Sequence, residues 1–239
     1  MGVKIGEGPL ASEPATKTGL IGFWNEDRIL SVFLGLIILV YFILAPLSDL
    51  GPLMRFVIQT FFALFLLSGI TAVLGQRPIA RLAKLVGLVA WVTHQFRIFY
   101  PTTALIEVDL LLGFFCLSLF VAVLIVRVLS GGEGNYFRLQ GAVAAYIMTA
   151  IAWGHLYALL ETVHPGCFRG PEGFLEPDRL VGNLTFFSSI TLTTVGYGDI
   201  VPVHAFARSM VCLEAFFGVL YPAILVSRLV TLSLPSETR

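Results

Sequence analysis

The sequence predicts an all-α integral membrane fold, with six transmembrane helices and a re-entrant helix and loop inserted before the last of them. Three observations carry that prediction. Of 239 residues, 57% are hydrophobic and 13% are charged, and mean hydropathy is +0.89, whereas a soluble domain carries roughly 25% charged residues. The apolar residues fall into blocks near the ~20 residues that a helix rising about 1.5 Å per residue needs to cross a bilayer. One block, 182–194, is too short to cross and runs into a glycine-containing string. Non-helical backbone at membrane depth is tolerated only where protein buries it or where it lines a water-filled cavity.

Residues 1–28 are polar and lack an apolar h-region, so they read as a cytoplasmic tail and not as a cleaved signal peptide. The first apolar block is then a retained signal anchor. Within the tail, Leu20, Ile21, Phe23 and Trp24 suit either a short amphipathic helix on the inner leaflet or a disordered segment. The expected spans are Ile29–Leu47, Leu53–Leu74, Ile79–Tyr100, Thr103–Leu129, Leu139–Glu161 and Ala205–Leu232. The first four form a peripheral domain over 29–130, and residues 131–239 form a second unit.

The third span is the weakest. Arg81 and Lys84 intrude at one end and Gln95 and Arg97 at the other, leaving a tethered interfacial helix as its alternative. With six spans and the N-terminus inside, the fifteen basic residues divide ten inside to five outside. Basic residues concentrate on the cytoplasmic side, so this places both termini there in a multi-pass protein of the cell membrane. Membrane lipids are the expected surroundings. Net charge is zero, so nothing points to a nucleic-acid partner. Cys116, Cys167 and Cys212 are widely spaced and suggest neither a disulfide framework nor a metal site. No metal-spaced His or Cys set, G-x-S-x-G or phosphate loop is found, so no enzyme is expected and no cofactor. With five residues after Leu234, no fused ligand-binding domain is expected either.

The informative string is Thr194, Val195, Gly196, Tyr197, Gly198, Asp199. Gly196 and Gly198 take positive φ at no steric cost. Alternating hand along a strand turns successive carbonyls toward one axis. The preceding short helix aims its negative C-terminal end the same way, which favours a cation there.

Thr191–Asp199, T-L-T-T-V-G-Y-G-D, is similar to the signature of tetrameric potassium channels. The resemblance covers Leu139–Leu232 as outer helix, pore helix, filter and inner helix. It implies K⁺ as permeant ion, held by the carbonyls of Thr194, Val195, Gly196 and Tyr197 and by the Thr194 hydroxyl in place of its hydration shell. One loop per chain implies three further copies, a homotetrameric pore. Two departures stand out: Ile190 occupies the place of an acid that pairs with the aspartate after the filter, and Phe186 and Phe187 occupy places where tryptophan N–H groups brace it. Phenylalanine has no donor.

In the last span, Pro222 lacks the N–H that would bond the carbonyl of Gly218. By resemblance Gly218 with Pro222 is the candidate gating hinge, the alternative being a permanent kink. Glu214, one turn earlier, either rings the pore or sits behind the pore helix near Ser188 or Thr191, the expected reading, with His155 as another possible partner. Asn183-Leu-Thr185 fits a glycosylation sequon, but Asn183 reads better as the N-cap of the pore helix. The outer loop places Glu172, Glu176, Asp178 and Asp199 against Arg169 and Arg179.

Six spans with the pore last resemble the layout of voltage-gated channels. Voltage sensing needs arginines at three-residue spacing, yet Thr103–Leu129 has only Arg127, at its inner end. Glu107 and Asp109 lie near enough in sequence to pair with Arg97. The function implied is passive potassium conduction without intrinsic voltage sensing. A non-conducting regulatory subunit or the membrane subunit of a potassium-uptake transporter are the alternatives. His204 is a possible route for pH control.

Overall fold

The computed structural model describes residues 26–47, 51, 53–54, 56–64, 78–129 and 135–233. The N-terminal tail with its Leu20–Trp24 segment, residues 65–74 of the second expected span, and residues 234–239 lie outside the described residues. Helix α1 spans Glu26–Ile38 and continues through a π-helical stretch, Leu39–Leu44, into Ala45–Leu47. Residues 56–64 are helical and form α2. Then follow α3 (Pro78–Phe99), α4 (Thr103–Leu129), α5 (Asn135–Val163), α6 (Leu180–Leu192) and α7 (Ala205–Ser233). Two short strands, β1 (Phe168–Arg169) and β2 (Val201–Pro202), pair antiparallel with Phe168 opposite Pro202.

By length and composition, three described helices can cross a membrane: Thr103–Val126, Arg138–Val163 and Ala205–Arg228. The apolar parts of α1 and α6 are shorter, at Ser31–Leu47 and Leu180–Leu192. Helix α3 is 22 residues long but is not among the apolar spans, in keeping with the charges at its ends.

Helix α5 is the hub of the fold. Its Ala144, Ala145 and Ala152 are buried with Phe33 and Ile37 of α1 and Leu117, Phe120 and Leu124 of α4. Small side chains at such contacts let backbones approach, which is how helices associate where lipid offers no hydrophobic driving force. At the other end, Tyr157 of α5 packs with Leu184 and Phe187 of α6, Leu110 of α4 and Phe168, Phe174 and Ile200 of the segments on either side of α6. Glu161 ends this helix by accepting the amides of Gly166 (2.7 Å) and Phe168 (2.9 Å), which fixes the turn into β1. At the opposite end Arg138 Nε donates to Val128 O (2.8 Å) and satisfies one of the last carbonyls of α4.

Helices α3 and α4 share an ion cluster around the buried Asp109. Arg97 Nε of α3 lies 2.9 Å from Asp109 Oδ2 of α4, the pairing expected from their spacing. His94 joins it, its Nδ1 lying 3.1 and 3.0 Å from the two Asp109 oxygens, a partner the sequence reading did not identify.

Candidate functional site

The site is built on α6 and the chain that leaves it. Helix α6 begins at Leu180, with Leu180 N donating to Glu176 O (2.8 Å) and no side-chain cap at Arg179. Asn183 is therefore not the N-cap expected from the sequence. Its amide already bonds Arg179 O inside the first turn, and its side chain donates to Phe174 O (2.9 Å), tying the outer loop to the helix. The start moved because the turn at Glu176–Arg179 feeds directly into helical hydrogen bonding.

After Leu192 the helix unwinds. Thr194 has φ 62°, Gly196 φ 55° and Gly198 φ 78°. Every second residue from Thr194 to Gly198 is thus left-handed. Glycine was expected at two of these positions. Thr194 was not foreseen there: a β-branched residue at positive φ is an outlier that costs about 1–2 kcal/mol. Hydrogen bonds hold the strain, because Thr194 N donates to Thr191 O (3.0 Å) and Val195 N and Gly196 N both reach Ile190 O (2.9 and 3.1 Å).

The residues flagged as departures now have places. Ile190 is buried and contributes through its carbonyl, which anchors the loop whatever its side chain. Asp199 caps its own neighbour, accepting Ile200 N (2.9 Å). Phe186 lies beside the loop, its ring stacked on Tyr197 at 6.2 Å and 28°. Phe187 faces away, 5.6 Å from both Tyr157 and Phe168. Phe186 thus meets Tyr197 by ring stacking, without a hydrogen-bond donor.

Glu214 of α7 lies behind the helix, fully buried. Its Oε2 accepts the Tyr157 hydroxyl (2.6 Å) and its Oε1 accepts the Ser188 hydroxyl, joining α5, α6 and α7 at one carboxyl group. Both oxygens are engaged away from the loop. His155 is not its partner, since His155 Nδ1 donates to Ile151 O (2.8 Å) one turn back in its own helix.

Gly218 and Pro222 sit inside a continuous α7. A Cβ at Gly218 would collide with the backbone of Leu192, so glycine there is a close-approach residue. The Tyr146 hydroxyl of α5 donates to Leu192 O (2.7 Å) and approaches Gly218 O (3.3 Å), the carbonyl that Pro222 leaves without its helical donor. Gly154 of α5 likewise leaves no room for a Cβ, which would strike the side chain and Cα of Thr185. Helix α6 is gripped from both sides, by tyrosines and glycines that sequence reading had not connected to it.

Around this scaffold the loop is open. Val195 is 53% and Tyr197 70% exposed, and α7 presents Leu213, Phe216, Val219, Leu220, Ile224 and Val226 on its surface. Arg169, Glu172, Glu176, Asp178 and Arg179, between α5 and α6, are exposed as well. His204 stacks on His164 with ring centroids 6.4 Å apart.

Residues 145–233, from α5 to α7, match a family model described as an ion channel. In that segment the chain is similar to an ion channel and not to an enzyme. The chain is 29% identical over 87 residues to Protein LctB of Bacillus caldotenax, a match covering 36% of this chain and 64% of the relative. It is 35% identical over 78 residues to Two-pore potassium channel 1 of Arabidopsis thaliana, covering 30% of this chain and 20% of that protein. The matches thus span less than two thirds of either relative. No solved structure matches the chain. The matched segment takes in the elements of the site, from Tyr146 through α6 and the loop to Gly218 and Pro222, and two of its helices, Arg138–Val163 and Ala205–Arg228, are long and apolar enough to cross a membrane.

Proposed function

We propose that the protein is a potassium-selective channel of the cell membrane, in which four copies bring Thr194–Asp199 together around one axis. The observation that carries this is the alternation of positive φ at Thr194, Gly196 and Gly198 in an exposed loop at the C-terminal end of a short membrane helix. In this reading the carbonyls of Thr194, Val195, Gly196 and Tyr197, with the Thr194 hydroxyl, replace the ion's water. The apolar face of α7 and the open loop are the surfaces a four-fold ring would cover, and a lone loop in lipid would leave polar backbone unsatisfied. The relative from Arabidopsis thaliana, named as a potassium channel, supports the choice of ion.

Six spans with both termini cytoplasmic remain the topology proposed. Gating is not intrinsically by voltage: moving one charge across 100 mV is worth ~2.3 kcal/mol, and Arg127 is the single basic residue of α4. Purified protein in liposomes tests the function directly. Dissipative K⁺ flux, blocked by Ba²⁺ and absent for Na⁺, is the expected result. Flux coupled to a second ion, or silence from inserted tetramers, would overturn it in favour of a transporter or regulatory subunit.

A further inference from the structure

The last turns of α6 carry the loop, and one contact to them comes from outside the α5–α7 unit. Tyr41 of α1 lies with its hydroxyl 2.7 Å from Ser189 Oγ, a pair 148 residues apart in sequence. The direction of this bond follows from counting protons. Ser189 has one, and it is donated to Thr185 O at 2.8 Å. Tyr41 must therefore be the donor and Ser189 Oγ the acceptor.

The backbone at Tyr41 is unusual too. Leu39–Leu44 is π-helical, and Ala45 N closes the stretch on Val40 O, five residues back. Short π segments insert an extra residue into a turn, re-aim the side chains on it and are frequent at functional sites. The Tyr41 ring packs against the buried cluster of α1, α4 and α5, so the hydroxyl is presented by a fixed base.

What it touches is the root of the loop. Ser189 O takes Thr193 N (3.1 Å) and Thr193 Oγ1 (2.7 Å), and the next carbonyl, Ile190 O, takes Val195 N and Gly196 N. Displacing Ser189 displaces the acceptors that hold Thr194 at its strained φ.

We propose that Tyr41 is a positioning residue for ion conduction: its hydroxyl, aimed by the π-helical turn of α1, fixes the last turn of α6 and makes the peripheral helix part of the filter's support. This rests on the channel reading above. In a bilayer no water competes for either hydroxyl, and such intramembrane bonds average ~0.6 kcal/mol, about a threefold effect. The test uses the full chain in liposomes with three variants, Tyr41→Phe, Ser189→Ala and the double. The readouts are the rate of release from Ba²⁺ block and the Rb⁺/K⁺ flux ratio, with assembly checked by gel filtration. Each single variant is expected to change the block-release rate about threefold, and the double no more than either single. Unchanged readouts in Tyr41→Phe, or effects that simply add in the double, would overturn the proposal.

Hydrogen exchange over residues 189–199 supplies a readout that needs no conduction. Exchange there is expected to quicken in Tyr41→Phe, and unaltered exchange refutes the positioning role. A silent wild-type protein would sink the channel reading alone. If Tyr41→Phe fails to assemble, Ser189→Ala carries the same comparison.

Discussion

Alanine at Gly218 and alanine at Pro222 are expected to move stability in opposite directions. At Gly218 a Cβ meets three backbone atoms of Leu192, with its carbonyl carbon at 2.9 Å and its Cα at 3.0 Å. Leu192 is held by Tyr146 and cannot step back freely. Overpacking of this kind costs about 1–3 kcal/mol, against a gain of about 1 kcal/mol from replacing glycine in a helix. The balance is a loss of about 1 kcal/mol per subunit. Pro222→Ala instead restores an N–H to Gly218 O and leaves the Tyr146 proton to Leu192 O alone. Proline is about 3 kcal/mol worse than alanine in a helix interior, and the part already recovered by Tyr146 reduces the gain to about 2. At about 2–4 °C per kcal/mol for a chain of this size, heating the purified protein in detergent while following the assembled species should show Gly218→Ala melting lower and Pro222→Ala higher. A hinge at Gly218 predicts something else: both variants stiffen the same joint and shift open probability together. Equal or raised stability in Gly218→Ala would refute the close-approach reasoning. Because the glycine is needed for packing, loss of function in Gly218→Ala by itself is no evidence of a hinge.

Glu214→Leu strands the Tyr157 and Ser188 hydroxyls in a buried site and should destabilise by about 2–4 kcal/mol, whereas Glu214→Gln keeps an acceptor and should lose less, both read by the same melt. Thr194→Gly removes the positive-φ strain and the hydroxyl together, so thermal stability should rise by about 1 kcal/mol, the released strain less the entropic cost of glycine, while in the proposed channel the concentration of K⁺ needed for half-maximal flux increases. Cys167 is 2% exposed in the outer loop, and burial followed by the nearby charge of Glu161 holds its thiol above the ordinary value. The folded protein therefore holds less thiolate at neutral pH than free cysteine, and maleimide should label Cys167 only after unfolding. Glu161→Gln weakens the acceptor of two backbone amides and should cost about 1–3 kcal/mol, visible as faster hydrogen exchange at Gly166 and Phe168.

The helices were legible where apolar blocks end in charge or glycine: α4 was expected and found over the same residues, and α5 and α7 differ by a few at their ends. The loop was legible because glycine at positions 196 and 198 announces positive φ, whereas Thr194 gives no such signal and is held left-handed only by bonds to Thr191 and Ile190. The tyrosine ties were out of reach for another reason. Tyr146 finds partners 46 and 72 residues away and Tyr157 one 57 away, and the Tyr146 partners are backbone carbonyls, which carry no residue identity. Glu214 was placed behind the helix, near Ser188 or Thr191, because by resemblance the cavity-facing positions lie nearer Val219, Pro222 and Val226, yet Tyr157 beside it looked like any core aromatic. Gly218 read as a hinge in one dimension and as clearance in three, and Gly154, to which the sequence attached no reading, is clearance as well.

The open loop has a consequence for inheritance. In the proposed tetramer each ion would be ringed by the same carbonyl from four chains, so a single misaligned copy spoils every ring it joins. A cell making normal and filter-damaged chains in equal amounts would then hold only about one intact assembly in sixteen if they mix at random. Loss at Thr194–Gly198 should behave as a dominant trait. Damage to α7 that prevents a chain from joining its fellows should be recessive, because the excluded copies poison nothing.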